Sequence, residues 1–150
     1  QQTDRVKVVY HPDFITPTNP LFGMEYEQFV RGCHMGIFPS YYEPWGYTPM
    51  ECIALGVPAV TSDLSGFGSY VQQVLPDHEQ HGLFVLRRRQ RSFDDTAGAM
   101  TNHLLRFTKM NRRERIGLRN RAEAFSVHFD WANLVAMYQQ AHELALDRAK

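Results

Sequence analysis

Hydrophobic positions change their period repeatedly along this chain, and each change marks an element. Val6-Lys7-Val8-Val9-Tyr10 is β-branched and alternating, the pattern of a strand. Residues 11–23 carry three prolines and no period, which reads as loop. From Met24 to His34 apolar residues fall at 26, 29, 30 and 33, the spacing of one helical face. Met35–Phe38 is a short apolar run suited to a buried strand. Thr48–Leu55 reads as a helix with Thr48 as N-cap, Pro49 in the first helical position and Gly56 at its end. A strand over Val57–Thr61, a turn over Asp63–Gly68, a short helix over Ser69–Leu75 and a strand over Gly82–Leu86 follow. Beyond Ser92 the strand pattern stops. Ser92 with Asp94 and Asp95 opens a helix that runs to about Lys109. Further helices cover Arg112–Phe125 and Trp131–Arg148, with breaks at Asn111 and Asp130. This order predicts an α/β fold, a parallel sheet with right-handed crossovers followed by C-terminal helices.

Composition adds bounds. The 150 residues, 43% apolar and 21% charged, suffice for one compact domain with a core. No apolar run approaches the roughly 20 residues of a membrane helix, and no signal-peptide pattern is present. The chain opens without Met, directly before a strand pattern, as expected of a piece of a longer protein. Its two cysteines, Cys33 and Cys52, make no disulfide framework, so a reducing, cytoplasmic setting is expected, with both packed as small apolar groups. The formal net charge of zero conceals an asymmetry. Residues 1–86 hold 3 Lys/Arg against 9 Asp/Glu, whereas residues 87–121 hold 11 against 3. A basic element is therefore concentrated in one segment, and overall neutrality says nothing of its partners.

Candidate chemistry centres on Phe38–Glu51. Glu43 falls in a loop containing Pro44 and Gly46, after an apolar strand and before a helix, and seven residues separate it from Glu51. In a parallel α/β sheet, the loop after a strand's C-terminal end is where ligands bind. One carboxylate in the loop and one on the helix can reach different parts of a single ligand. An ionised carboxylate accepts hydroxyl hydrogen bonds, as a polyol such as a sugar would offer. The turn Gly46-Tyr47-Thr48 leads into a helix whose first N–H groups lack partners, and such an end attracts phosphate. The bland alternatives are a solvated Glu43, a surface Glu51, and Thr48 acting only as a cap.

Around this loop the chain resembles the glycogen synthases of the animal and fungal type. The resemblance is carried by Phe38-Pro39-Ser40-Tyr41-Tyr42-Glu43-Pro44-Trp45-Gly46-Tyr47-Thr48-Pro49 with Glu51-Cys52, and by Leu64-Ser65-Gly66-Phe67-Gly68. Arg88-Arg89, Arg91-Ser92, Asp94-Asp95, Arg112 to Arg121 and Asp130-Trp131 extend it over nearly the whole chain. It implies a retaining glucosyltransferase of the two-domain GT-B fold. Residues 1–91 would be part of its C-terminal, Rossmann-like nucleotide-sugar-binding domain, and residues 92–150 a helical portion packed on it. The implied activity is transfer of glucose from UDP-glucose to the non-reducing end of an α-1,4-glucan such as glycogen. By the same resemblance Glu43 lies by the donor glucose and Glu51 holds the ribose of UDP. Trp45, Gly46, Tyr47 and Thr48 serve the donor, and Phe14 and Tyr26 match aromatic positions that hold the uracil. For Phe14, core packing is the competing reading. No metal or cofactor is expected. This piece alone is expected to be inactive, because the family's basic donor-phosphate ligands and acceptor domain lie elsewhere.

Arg112, Arg115 and Arg119 share one helical face, with Arg113 and Arg121 beside it. Guanidinium forks in such an array make a phosphate receptor. The resemblance implies a glucose-6-phosphate site at a subunit interface of a homo-oligomer. The alternatives are a solvated basic face or a contact with glycogen; nucleic acid is disfavoured because no recognition motif is present. Seven histidines show no His-x-x-x-His pair. Paired carboxylates also suit a glycoside hydrolase, but that chemistry needs both flanking one scissile bond. Two rivals remain open: a non-catalytic regulatory module, and a related transferase with another nucleotide-sugar or acceptor.

Overall fold

The computed structural model describes residues 3–149. Three short parallel strands, β1 (Gly36–Ile37), β2 (Ala59–Ser62) and β3 (Leu83–Leu86), lie in the order β1-β2-β3. Gly36 pairs with Ala59 and Ala59 with Leu83, so the three C-terminal ends meet along one edge. β2 and β3 are buried throughout, as a parallel sheet covered on both faces must be. Successive strand side chains point to opposite faces. Ala59, Leu83 and Val85 accordingly join a core with Ile53, Phe67, Val71, Ala122 and Phe125, while Val60, Phe84 and Leu86 join a second with Phe107 and Leu118.

The helices are α1 (Tyr26–Gly32), α2 (Tyr47–Ala54), α3 (Gly66–Val74), α4 (Phe93–Lys109), α5 (Arg112–Phe125) and α6 (Trp131–Arg148). α2 connects β1 to β2. α3 and a 3-10 turn at His78–His81 connect β2 to β3, and a second 3-10 turn occupies Ser126–Phe129. The expected breaks hold for physical reasons. Ser92 Oγ accepts from Asp95 N–H at 3.1 Å to start α4, and Asp130 Oδ1 accepts from Ala132 N–H at 2.8 Å to start α6. At α5, Asn111 accepts from Glu114 N–H at 3.0 Å while Glu114 Oε2 accepts from Asn111 N–H at 2.7 Å, a reciprocal capping box. Glu114, which interrupts the arginine run, thus has a structural task at the helix start.

Three expectations are corrected. Residues 6–10 form no strand: Val6, Val8, Val9 and Tyr10 are exposed, Val8 by 89%, and among the described residues the sheet consists of β1, β2 and β3, none of which pairs with them. Alternation gives propensity, but a strand exists only when paired. α3 begins at Gly66 rather than Ser69, because Ser65 Oγ accepts from Gly68 N–H at 2.9 Å and sets the cap there. At α2 the N-cap is Gly46 instead of Thr48. Gly46 adopts φ +110° and ψ +74°, which moves Tyr47 into the first helical position and leaves Pro49 in the third.

Candidate functional site

The loop from Pro39 to Gly46 lies at the C-terminal edge of the sheet, fastened from below by α3 and from the side by the segment after β3. Gly66 N–H donates to the Glu43 carbonyl at 3.0 Å and Phe67 N–H to the Trp45 carbonyl at 2.8 Å. A side chain on Gly66 would collide with the Pro44 carbonyl, so this close approach requires glycine. Ser62 Oγ, at the end of β2, donates to the Ser40 carbonyl at 2.7 Å. Asp63 accepts through Oδ1 from Arg88 N–H at 2.8 Å and Arg89 N–H at 3.2 Å, tying the segment after β2 to the segment after β3. The sequence presents Asp63 merely as a turn residue; a bond across 25 positions leaves no local signal.

Two helix starts converge under this loop and differ in availability. The first N–H groups of α3 are taken by Glu43, Trp45 and Ser65. At α2, Tyr47 and Thr48 N–H take no partner among the described residues. The open end faces a pocket of about 250 Å³, lined by Glu43, Gly46, Thr48, Ser40, Thr61 and Ser65 among others. The Glu43 side chain is exposed, and its stem is held against Gly46, where an added Cβ would sit 3.3 Å from Cγ. Glu43, four hydroxyl-bearing residues (Ser40, Thr48, Thr61 and Ser65) and the start of α2 therefore border one small concavity. Such a set can hold a polyol at one end and an anion at the other.

The other sequence-derived candidates distribute around this pocket. Glu51 is exposed on α2 and borders a separate depression with Met50, Ser126 and Asp130. Tyr26 on α1 neighbours Glu51. Burial, then Cys52, Glu51 and Cys33, raises the Tyr26 hydroxyl pKa. Burial first, then Cys33 and Glu51, pushes the Cys52 thiol up to about 11. Phe14 is 86% exposed and lines neither the Glu43 pocket nor the Glu51 depression. The Trp45 ring lies 5.8 Å from that of Phe67, edge to face, and 5.8 Å from that of Tyr70. With Tyr47 it lines a larger aromatic cleft of about 610 Å³ that also includes Trp131 and Tyr138.

The five arginines of α5 do not form one array. Arg119 donates to the Cys33 carbonyl at 2.9 Å and the Arg31 carbonyl at 3.1 Å, completing the end of α1. Arg121 donates to the Gln80 carbonyl at 2.8 Å. Arg112 and Arg113 are exposed in the first turn, and Arg115 is half-buried. Two positive charges at a helix start are unfavourable with its dipole.

A parallel sheet with connecting helices and a carboxylate-bearing loop at the strands' C-terminal edge is consistent with the Rossmann-like half of a glycosyltransferase. The sequence model of the glycogen synthase family matches residues 1–150, and the chain belongs to that family. It is 52% identical over 148 residues to human liver glycogen [starch] synthase, covering 99% of this chain and 21% of that protein. The Dictyostelium discoideum glycogen [starch] synthase is likewise 52% identical over 148 residues, 99% of this chain and 17% of its own length. The Caenorhabditis elegans counterpart is 49% identical over 145 residues, 97% of this chain and 22% of its own. The chain thus spans about a fifth of the length of these relatives. Among the described residues, no helix is long and apolar enough to cross a membrane.

Proposed function

We propose that this chain carries the donor side of a glycogen synthase active site, which transfers glucose from UDP-glucose to an α-1,4-glucan with retention. The observation that carries the reading is the pocket that Glu43 shares with Gly46 and Thr48 at the start of α2, where the Tyr47 and Thr48 N–H groups take no partner among the described residues. In this reading the pyrophosphate lies at the start of α2, where Tyr47 and Thr48 N–H and the helix dipole offset its charge, including the charge that develops as UDP leaves. Glu43 accepts hydroxyl hydrogen bonds from the glucose and stabilises the positive charge that builds at the anomeric carbon. Glu51, beside Tyr26, holds the ribose. Glucan and further donor ligands come from parts of the enzyme outside this chain, so residues 1–150 alone transfer no glucose.

The kinetic test uses an enzyme carrying this sequence. Glu43→Gln should lower kcat by about 10²-fold, the effect typical of removing one preorganised transition-state partner. The Kd for UDP should stay near the wild-type value, whereas Glu51→Gln should weaken UDP binding. Wild-type turnover in Glu43→Gln would sink the assignment.

The start of α5 supports a second, regulatory reading. Arg112 and Arg113, with Arg115 behind them, are the arginines left to take a sugar phosphate such as glucose-6-phosphate, and an anion there would offset their conflict with the helix dipole. Arg119 and Arg121 are held by backbone carbonyls instead.

A further inference from the structure

Resting on the donor-site reading, we propose that Arg88 is a positioning residue for the reaction: it holds the loop that presents Glu43. The side chain spans the gap between the segment after β3 and the loop after β1. Its Nη1 donates to the Pro39 carbonyl. Its guanidinium also lies over the Tyr41 ring, 3.7 Å from the centroid, a cation–π contact. Pro39 and Tyr41 bracket Ser40, whose carbonyl is held by Ser62 from below. One side chain therefore clamps both neighbours of a residue already anchored to the sheet, three positions before the first residue of the Glu43–Trp45 stretch that α3 holds.

The backbone of Arg88 is fixed independently. Asp63 accepts its N–H at 2.8 Å, a bond that any residue at position 88 would make. Removing the side chain therefore leaves the segment after β3 in place and frees only the loop. Pro39 and Ser40 line the same pocket as Glu43, so a shift of this loop moves the pocket wall and the carboxylate together. Glu43 itself makes no hydrogen bond through its carboxylate among the described residues. Its position is thus set by the backbone that carries it. A lysine could hold the Pro39 carbonyl or lie over the ring, but it lacks the planar fork that does both in one geometry.

The experiment measures kcat, KM for UDP-glucose and Kd for UDP in an enzyme carrying this sequence, with Arg88→Ala, Arg88→Lys, Tyr41→Leu, Arg88→Ala/Tyr41→Leu and Glu43→Gln side by side. Thermal melting confirms that each variant is folded. Displacements well under an ångström at the reacting centre correspond to about tenfold in rate, given that 1 Å costs about a hundredfold. Arg88→Ala and Tyr41→Leu should each lose about tenfold in kcat, with KM and UDP Kd within about threefold of wild type. The double variant should be no worse than either single, because both remove one clamp. Arg88→Lys should recover part of the loss. Wild-type kcat in Arg88→Ala, or losses that multiply in the double variant, overturns the clamp while a slow Glu43→Gln keeps the donor-site reading intact. A fast Glu43→Gln overturns that reading and the clamp with it.

Discussion

Gly46→Ala is the substitution on which backbone geometry and site chemistry bear together. Gly46 sits at φ +110° as the N-cap of α2, in a region L side chains rarely adopt. Placing a Cβ in left-handed backbone costs roughly 1–2 kcal/mol. Alanine's stiffer unfolded chain returns about 0.4–1 kcal/mol of that, so the net loss is on the order of 1 kcal/mol. The added methyl also meets Glu43 Cγ at 3.3 Å, Phe67 Cβ at 3.7 Å and Ser65 Cβ at 3.8 Å. The latter two are ordinary contacts, so the Glu43 stem is the part that must move, by a few tenths of an ångström. In an enzyme carrying this sequence, denaturant midpoints should report the loss of about 1 kcal/mol. Initial rates with UDP-glucose should report a fall in kcat of about tenfold. Gly98→Ala is the control. Gly98 is exposed within α4 and a Cβ there meets nothing within 4 Å, so the substitution should stabilise by about 0.5–1 kcal/mol and leave kcat unchanged. Unaltered stability and turnover in Gly46→Ala would refute the geometry claimed for this turn.

Two further outcomes are expected. Unfolded Cys52 releases its proton near the ordinary value of 9.0, whereas the folded thiol holds it to about 11. The folded state therefore binds the extra proton between those values, and stability should fall as pH rises through that window, a decline that Cys52→Ala flattens in denaturant midpoints taken on either side of it. At α5, Arg112→Ala with Arg113→Ala should abolish activation by glucose-6-phosphate while leaving the melting temperature near wild type. Arg119→Ala should instead lower the melting temperature, because it strands the Arg31 and Cys33 carbonyls. Activation that survives in the Arg112/Arg113 double variant places the effector elsewhere.

The parallel sheet, the cap at Ser92, the breaks at Asn111 and Asp130, and the loop position of Glu43 were legible because each is written in neighbouring residues. What was not legible depends on partners distant in sequence. Val6–Tyr10 has the right alternation for a strand, yet pairing decides, and among the described residues no strand of the sheet pairs with it. Thr48-Pro49 matches a helix-start signature, but the left-handed turn at Gly46 starts the helix one residue before Thr48. Glu43 and Glu51 are close in sequence but border different depressions, because the helix carries Glu51 around to the side of Tyr26 and the Ser126–Phe129 turn. Arg112, Arg115 and Arg119 do share a helical stripe, but Arg119 is claimed by the end of α1, which periodicity cannot foresee. The ties from Asp63 to Arg88 and from Arg88 to Pro39 join loops that only the sheet brings together.

The central claim is tested most directly by a crystal structure of an enzyme carrying this sequence in complex with UDP-glucose. The expected result places phosphate oxygens about 2.7–3.2 Å from Tyr47 and Thr48 N–H, with the glucose hydroxyls at the Glu43 carboxylate. A nucleotide-sugar bound with its phosphates away from the start of α2 and its glucose out of reach of Glu43 would contradict it.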